Sequence, residues 1–485
     1  MPKSEKSKIS KGVNQKLKKE IERVFNLQLQ NSAIVSQTTS AERIAKLKLL
    51  NQKLFETREQ LCTALFEDFQ KNPAETEVTE LYPVVSEIRH AIKNLKKWMK
   101  PVKVKTPISL LGSSARIQYQ PKGVVAIISP WNYPVNLTLG PLVSAIAAGN
   151  CVIIKPSEMT PSSSKYMREL ITGIFPENEV AIFEGDAAVS TEILSKPFHH
   201  IFYTGNPAVG KIVMTAAARN LTSVTLELGG KSPVVIDESA DIGEAAKKIS
   251  WAKFVNCGQT CIAPDYILVH DSLRHDFLAL LKKGIAEKYG NTDEEIKKSK
   301  NLSRIINSRH FLRLTNLLNS AIKAGANIEY GGVTDAKSNY ISPTILTEVP
   351  LKSSIMQEEI FGPLFPVITF SDLPEAIDYI NSGEKPLAAY FYGRNKENIR
   401  RFIQKTTSGG VCINDSMIHF SNLNLPFGGI NNSGLGNGHG YFGFKAFSHE
   451  RAILRQHLKK PFLQMLYPPY TPFARKLIDL TVKYF

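Results

Sequence analysis

Gly123-Val-Val-Ala-Ile-Ile-Ser-Pro-Trp-Asn-Tyr-Pro-Val-Asn-Leu-Thr-Leu-Gly-Pro-Leu-Val-Ser-Ala-Ile-Ala-Ala-Gly-Asn-Cys-Val-Ile-Ile154 contains no charged side chain. A stretch this long could cross a bilayer, for which about 20 apolar residues suffice. Its punctuation argues otherwise: Pro130, Pro134 and Pro141 interrupt it, and Asn132, Asn136 and Asn150 lie within. It reads better as a strand over 123–129, a turn, a helix over 137–148 and a strand over 151–155. Charge-free strands are expected in a parallel sheet covered on both faces, so the stretch predicts an α/β protein.

Outward from it, the alternation continues. Strands are expected at 180–184, 200–204 and 224–228, with helices between, for example 162–174 and 209–218. Such a βαβ series implies a doubly wound sheet that binds ligands at the carboxyl ends of its strands. Before it, 15–100 is helical in pattern, with Leu47, Leu50, Leu54, Leu61 and Leu65 at helical spacing. The segment 103–120 alternates and reads as a strand leaving the main body. After Gly229-Gly230 the series restarts: helix 242–255, strand 266–270, helix 274–288, strands near 341–346 and 365–370, helix 374–381, strand 387–392, helix 396–406 and strand 410–414. Glycine-rich loops occupy 426–443, a strand-like run follows at 447–456, and 474–485 closes the chain as a short amphipathic segment.

The chain has 485 residues, too many for one ordinary core, so two or three domains are expected. Five cysteines and no signal peptide point to free thiols in a reducing compartment, the cytoplasm. The net charge of +16 collects partly at the two ends. Basic ends can meet nucleic acid or anionic membrane, but no nucleic-acid motif accompanies them, and no nucleic-acid partner is expected. The start, 1–14, is Lys/Ser-rich and expected to be disordered.

Several short motifs could carry chemistry. Asn256-Cys-Gly-Gln-Thr-Cys-Ile-Ala-Pro-Asp265 joins a helix to a strand, and Cys261 is its candidate nucleophile. Cys257 and Cys261 lack a second Cys/His pair, so no metal is expected. Glu227 ends an apolar strand, where a carboxylate's pKa rises and it can act as a base. Asn132, on the Pro-bracketed turn Ser129-Pro-Trp-Asn-Tyr-Pro134, could donate to an oxyanion. Lys155 and Glu158, in Lys-Pro-Ser-Glu, could hold a ribose diol. Gly205-Asn-Pro-Ala-Val-Gly210-Lys211 matches a P-loop until Ile212 replaces the Ser/Thr that would hold magnesium, and so reads as a pyrophosphate turn. Gly438-His-Gly-Tyr-Phe-Gly443 follows a loop rather than a strand and reads as turn chemistry. Glu359 and Phe361, in Gln357-Glu-Glu-Ile-Phe-Gly-Pro363, add a carboxylate and an aromatic face. Taken singly, each has an ordinary reading: a buried thiol, a strand-end carboxylate, an Asx turn, a surface pair, a core phenylalanine.

Together, in this order, the motifs resemble the aldehyde dehydrogenase superfamily, from about residue 21 to 485. Leu95-Lys-Lys-Trp-Met-Lys-Pro101, Phe447-Ser-His449 and Tyr467-Pro-Pro-Tyr-Thr471 resemble its class 3, fatty-aldehyde-type branch. The resemblance implies two doubly wound α/β domains and a small β bridging element. Residues 15–102 and 122–229 would form the dinucleotide-binding domain, 230–445 the catalytic domain, 103–121 and 446–457 the bridging and oligomerisation element, and 458–485 a tail. It implies NAD(P)-dependent oxidation of medium- or long-chain aliphatic aldehydes through a cysteine thiohemiacetal and thioester. Cys261 would be the nucleophile, Glu227 the base, and Asn132 an oxyanion donor. Lys155 and Glu158 would meet the adenosine ribose, Gly205, Asn206 and Gly210 the pyrophosphate, Glu359 the nicotinamide ribose, and Phe361 would pack nearby. Asn206-Pro207 departs from the family's usual Ser-Thr. Glu158 would oppose a 2′-phosphate, which favours NAD over NADP. A homodimer is implied. The class 3 membrane-spanning tail is absent, leaving peripheral membrane contact through the tail. The alternative reading is a membrane-surface or scaffold protein with a vestigial site.

Overall fold

In the computed structural model, which describes residues 14–484, the charge-free stretch forms strand Val124–Ile128, helix Asn136–Ala148 and strand Cys151–Lys155. Gly149 ends the helix at φ 89°, a left-handed conformation that glycine adopts without penalty. The two strands are parallel, with Val124 opposite Cys151 and Ile128 opposite Lys155. Both are buried along their whole length. Alternate residues enter different cores. Val125, Ile127, Val152 and Ile154 pack against Leu47, Leu50, Leu54 and Leu65 on one side. Val124, Ala126, Cys151 and Ile153 pack against Ile21, Val24 and Phe25 on the other. That is why neither face tolerates a polar residue; each Val or Ile buried here stabilises by about 1.5–3 kcal/mol. Among the described residues, no helix is long and apolar enough to cross a membrane. The basic start falls outside the described residues except for Asn14, which caps the helix Gln15–Ser36.

The first sheet runs Gly434–Leu435, Ser223–Glu227, His200–Thr204, Val124–Ile128, Cys151–Lys155, Val180–Ile182. All pairings are parallel except that of Gly434–Leu435. The order reverses between Val124–Ile128 and His200–Thr204, which opens a crevice at their carboxyl ends. Asn132, Lys155, Gly205 and Glu227 all lie along that edge.

The chain passes from Glu227 to the strand Pro233–Ile236 of a second sheet through five residues and no helix. This sheet runs Asn327–Tyr330, Thr344–Thr347, Leu364–Phe370, Tyr266–His270, Pro233–Ile236, Ala388–Tyr392, Gly410–Ile413, with only Asn327–Tyr330 antiparallel. The short link brings the carboxyl edge of the first sheet against the amino edge of the second. Cys261 accordingly lies before its strand, Tyr266–His270. The candidate residues of the first sheet thus lie at its carboxyl edge, and the nucleophile loop lies, as expected, just ahead of the strand Tyr266–His270. Pro233–Ile236 and the helix Ser308–Lys323 were not among the expected elements.

A third sheet stands apart, antiparallel, in the order Val102–Val104, Ser113–Pro121, Ser448–Gln456. Ser113–Pro121 pairs with Ser448–Gln456 over its full nine residues. Beyond it, the amphipathic end is the helix Pro472–Tyr484. Gly440–Ala446 is a short helix, so the second glycine run is neither a phosphate loop nor wholly a turn.

Candidate active site

The backbone before Cys261 is left-handed at three successive residues: Asn256 (φ 52°), Cys257 (φ 55°) and Gly258 (φ 74°). Non-glycine residues there cost on the order of 1–3 kcal/mol each, so the surroundings must hold them. Asn256 Nδ2 donates to Asn132 O (2.8 Å) and Gln259 O (3.1 Å). Gln259 Nε2 donates to Asn256 O (3.0 Å) and Arg304 O (3.1 Å), and its Oε1 accepts from Ile306 N–H (3.0 Å). Gly258 has no room for a side chain, since a Cβ would sit 2.4 Å from Gly362 O.

The turn bearing Asn132 is fastened to this loop. Asn132, 3% exposed, donates through Nδ2 to Gln259 O at 3.1 Å. Tyr133 Oη and Thr260 Oγ1 share a 2.7 Å hydrogen bond. The Asn132 amide therefore lies beside the residues leading directly to Cys261.

Cys261 is half-buried and shares an apolar cavity of about 190 Å³ with Glu227. Phe202, Leu228, Trp251, Met417, Phe420 and Phe427 form much of its wall. Burial pushes the thiol up to about 12; Glu359 and Glu227 push the same way, and the N–H groups of Cys261 and Ile262 oppose them. Glu227 closes its strand only 6% exposed, and neither carboxyl oxygen has a partner. The backbone donor beside it, Gly438 N–H, is given to Phe427 O at 2.7 Å. Burial consequently holds the Glu227 carboxyl well above its ordinary range. A carboxylate so placed has a high affinity for a proton and free lone pairs facing the thiol's cavity.

The expected cofactor residues gather on the crevice and the loop above it. Lys155 Nζ contacts Glu158 Oε2 at 2.6 Å; the lysine is buried and the glutamate 42% exposed. Asn206 caps the helix Pro207–Ala218, its side chain accepting from Val209 N–H at 3.0 Å. Gly205 and Gly210 are close approaches: a Cβ would lie 2.2 Å from Tyr203 Oη and 2.9 Å from Leu228 Cδ2 respectively. The Glu359 carboxylate crosses the link between the sheets, where a Cβ on Gly229 would be 2.3 Å from its Oε2. Burial raises Glu359 to about 8. Phe361, left-handed at φ 50°, meets the Trp131 ring edge-on at 5.3 Å. This donor set fits a dinucleotide: an ammonium–carboxylate pair, a helix start behind glycines, and a carboxylate over bare backbone.

Sequence reasoning missed the residues that hold Glu359. Arg313 donates to Glu359 O (3.3 Å) and Ile360 O (2.5 Å). Lys231, paired with Asp265, donates to Ile355 O (2.8 Å) and Glu358 O (2.9 Å). Asp265 accepts from Ile360 N–H at 2.9 Å. Asp265 closes the stretch Asn256–Asp265, and Lys231 follows Gly229-Gly230; each is a single charge among uncharged neighbours. Among the described residues no cluster could hold a metal ion.

Two α/β sheets meeting over a cysteine, a buried carboxylate and a dinucleotide crevice define a thiol-dependent oxidoreductase. The chain belongs to the aldehyde dehydrogenase family, whose model matches residues 3–453. It is 44% identical over 444 residues to AldX of Bacillus subtilis (strain 168), covering 92% of this chain and 99% of that one. Aldehyde dehydrogenase family 3 member A2 of Pongo abelii is 44% identical over 428 residues, covering 88% of this chain and 87% of that protein. The substrate-bound structure of Staphylococcus aureus AldH superposes with a TM-score of 0.91 at 40% identity, over 95% of this chain and 99% of that one. The protein is thus an enzyme that oxidises aldehydes with NAD(P). The family match does not support a scaffold with a vestigial site, and the thiol and the buried carboxylate share one cavity.

Proposed function

We propose that this enzyme oxidises medium- and long-chain aliphatic aldehydes, with NAD preferred over NADP, through chemistry on Cys261. The observation that carries the reading is the shared cavity: Cys261 and Glu227 face one apolar hollow, with Asn132 tied to the nucleophile loop. An apolar wall favours an alkyl chain over a polar one.

The Cys261 sulfur adds to the aldehyde carbon as thiolate, and the carbonyl electrons move onto oxygen. The Asn132 amide and the Cys261 backbone N–H stabilise that oxyanion; one such donor is worth roughly 3–4 kcal/mol. A nicotinamide held beside Glu359 and Phe361 would supply the hydride acceptor that lets the thiohemiacetal on Cys261 collapse to a thioester. Glu227, its proton affinity raised by burial, takes a proton from water, which attacks the thioester and frees the acid and Cys261. Lys155 and Glu158 would hold the adenosine ribose, Gly205, Asn206 and Gly210 the pyrophosphate, and Glu359 the nicotinamide ribose beside Phe361. The half-exposed Glu158 carboxylate disfavours a 2′-phosphate.

On this reading, 15–102 and 122–229 act as the cofactor domain, 230–445 as the catalytic domain, and 103–121 with 446–457 as the dimer-forming element. The enzyme works in the cytoplasm. Its last helix, with Phe473, Leu480 and Tyr484 exposed, touches membrane surfaces peripherally; absence from anionic vesicle pellets would remove that part. For the whole reading, Cys261→Ala abolishes aldehyde-dependent cofactor reduction. A chain-length panel run with both cofactors gives its highest kcat/KM for a medium or long aldehyde with NAD. Full activity in Cys261→Ala overturns the mechanism, and a preference for NADP overturns the cofactor choice.

A further inference from the structure

A buried group of charges lies under the nucleophile loop, and no step above uses it. Lys71 and Glu80 are fully buried, with Lys71 Nζ 3.3 Å from Glu80 Oε1. The other oxygen of Glu80 accepts from Asn136 N–H (2.8 Å) and Val135 N–H (3.2 Å), immediately after the turn that carries Asn132. Lys71 Nζ also lies 4.7 Å from the centre of the Tyr133 ring. Glu75 reaches the opposite loop, where Oε1 accepts from Asn256 N–H (3.0 Å) and Ser303 Oγ (3.3 Å). Asn256 in turn holds Asn132 O. Residues 71–80 therefore grip both loops at once.

The local backbone makes this reach available. Asn72 caps the helix Pro73–Thr76, which passes into a π turn, Glu77–Leu81. On a regular α-helix, side chains five residues apart point about 140° away from each other. A π turn, closed by i to i+5 bonds, narrows that angle and is a frequent mark of functional positions. The stretch is also strapped to the second half of the chain, with Arg304 N–H donating to Phe69 O at 2.8 Å.

We propose that Lys71, Glu75 and Glu80 form a buried positioning unit that sets the spacing between the Asn132 amide and Cys261. The proposal rests on the reading of Asn132 as the oxyanion donor. None of the three touches substrate or cofactor; each acts through the backbone it holds. Losing the Glu75 acceptor releases Asn256, whose left-handed backbone and side chain fix Asn132. A hydrogen bond to an oxyanion weakens steeply with such misplacement.

The test uses steady-state kinetics and cofactor titration on the full-length enzyme. Glu75→Ala lowers kcat about tenfold or more, while aldehyde KM and cofactor Kd stay within about twofold. In an Asn132→Ala background the same change costs less than about twofold, because the donor it positions is already gone. Glu75→Gln, which keeps an acceptor for Asn256 N–H, recovers most of the rate and stands in should the alanine variant fail to fold. The proposal is overturned if Glu75→Ala multiplies undiminished onto Asn132→Ala, if it shifts KM or cofactor Kd along with kcat, or if Gln loses as much as Ala. Full kcat in Asn132→Ala alone is a different result: it removes the oxyanion reading, and the positioning unit falls with it.

Discussion

At the scale of single residues, Glu227 and Cys261 have both been driven toward their neutral forms by burial, and each leaves a kinetic signature. If Glu227 is the proposed base, Glu227→Gln keeps the shape but loses the acceptor for the proton of the hydrolytic water. It should accumulate thioester: a burst of about one equivalent of reduced cofactor, then steady turnover slower by roughly 10²–10⁴. Stopped-flow absorbance measures this, and loss of the burst would move Glu227 to the first half of the reaction. The thiol, pushed up to about 12, is mostly protonated at neutral pH. Since the thiolate reacts and its fraction grows as pH rises, kcat/KM should climb from pH 6 to 9. A profile that falls over that range contradicts the assignment. The residues themselves were legible because their motifs are short and contiguous. Their supports were not: Glu75, Gln259 and Arg313 act across long sequence separations through backbone groups, which no local pattern records.

At the scale of elements, the helix Tyr82–Trp98 buries Glu87 at 5% exposure against Gly440 N–H, 3.0 Å from Oε2. Its neighbour His439 is held neutral by burial at about 4, so it offers no compensating charge. Burial raises the Glu87 carboxyl to about 7, against ~4.3 when unfolded. Between those values the folded chain keeps a proton that the unfolded chain has lost, so stability falls as pH rises through that window. Glu87→Gln removes this penalty. Its melting temperature should exceed wild type at pH 8 and match it near pH 4, by calorimetry; no gain at pH 8 would contradict the buried charge. Strands such as His200–Thr204 and Tyr266–His270 agree residue for residue with expectation, because a doubly covered strand is a largely apolar run. Pro233–Ile236 escaped notice because it is four residues long and begins with proline, which ordinarily argues against a sheet interior. The helix Ser308–Lys323 does carry a readable period in Phe311, Leu314, Leu317, Leu318 and Ala321.

At the scale of the whole molecule, the fold class followed from the alternation of elements, but the meeting of two sheets over one thiol did not. That depends on the five-residue link after Glu227, which turns one sheet's carboxyl edge onto the other's amino edge; a sequence shows the link's length but not its direction. The third sheet leaves Ser448–Gln456 as a nine-residue edge with Leu454 53% exposed, a ready template for pairing with another chain. If this edge forms the proposed dimer, Leu454→Asp should shift the sedimenting species toward monomer, and an unchanged mass would place the interface elsewhere. The same sheet has a consequence for synthesis. Its central strand emerges from the ribosome early, while the partner covering it over nine residues is among the last segments made. At typical elongation rates that interval is on the order of half a minute. The nascent chain spends it with a bare β-ribbon beside a first sheet still lacking its Gly434–Leu435 edge, so chaperone capture and misassembly between neighbouring polysomes should concentrate there.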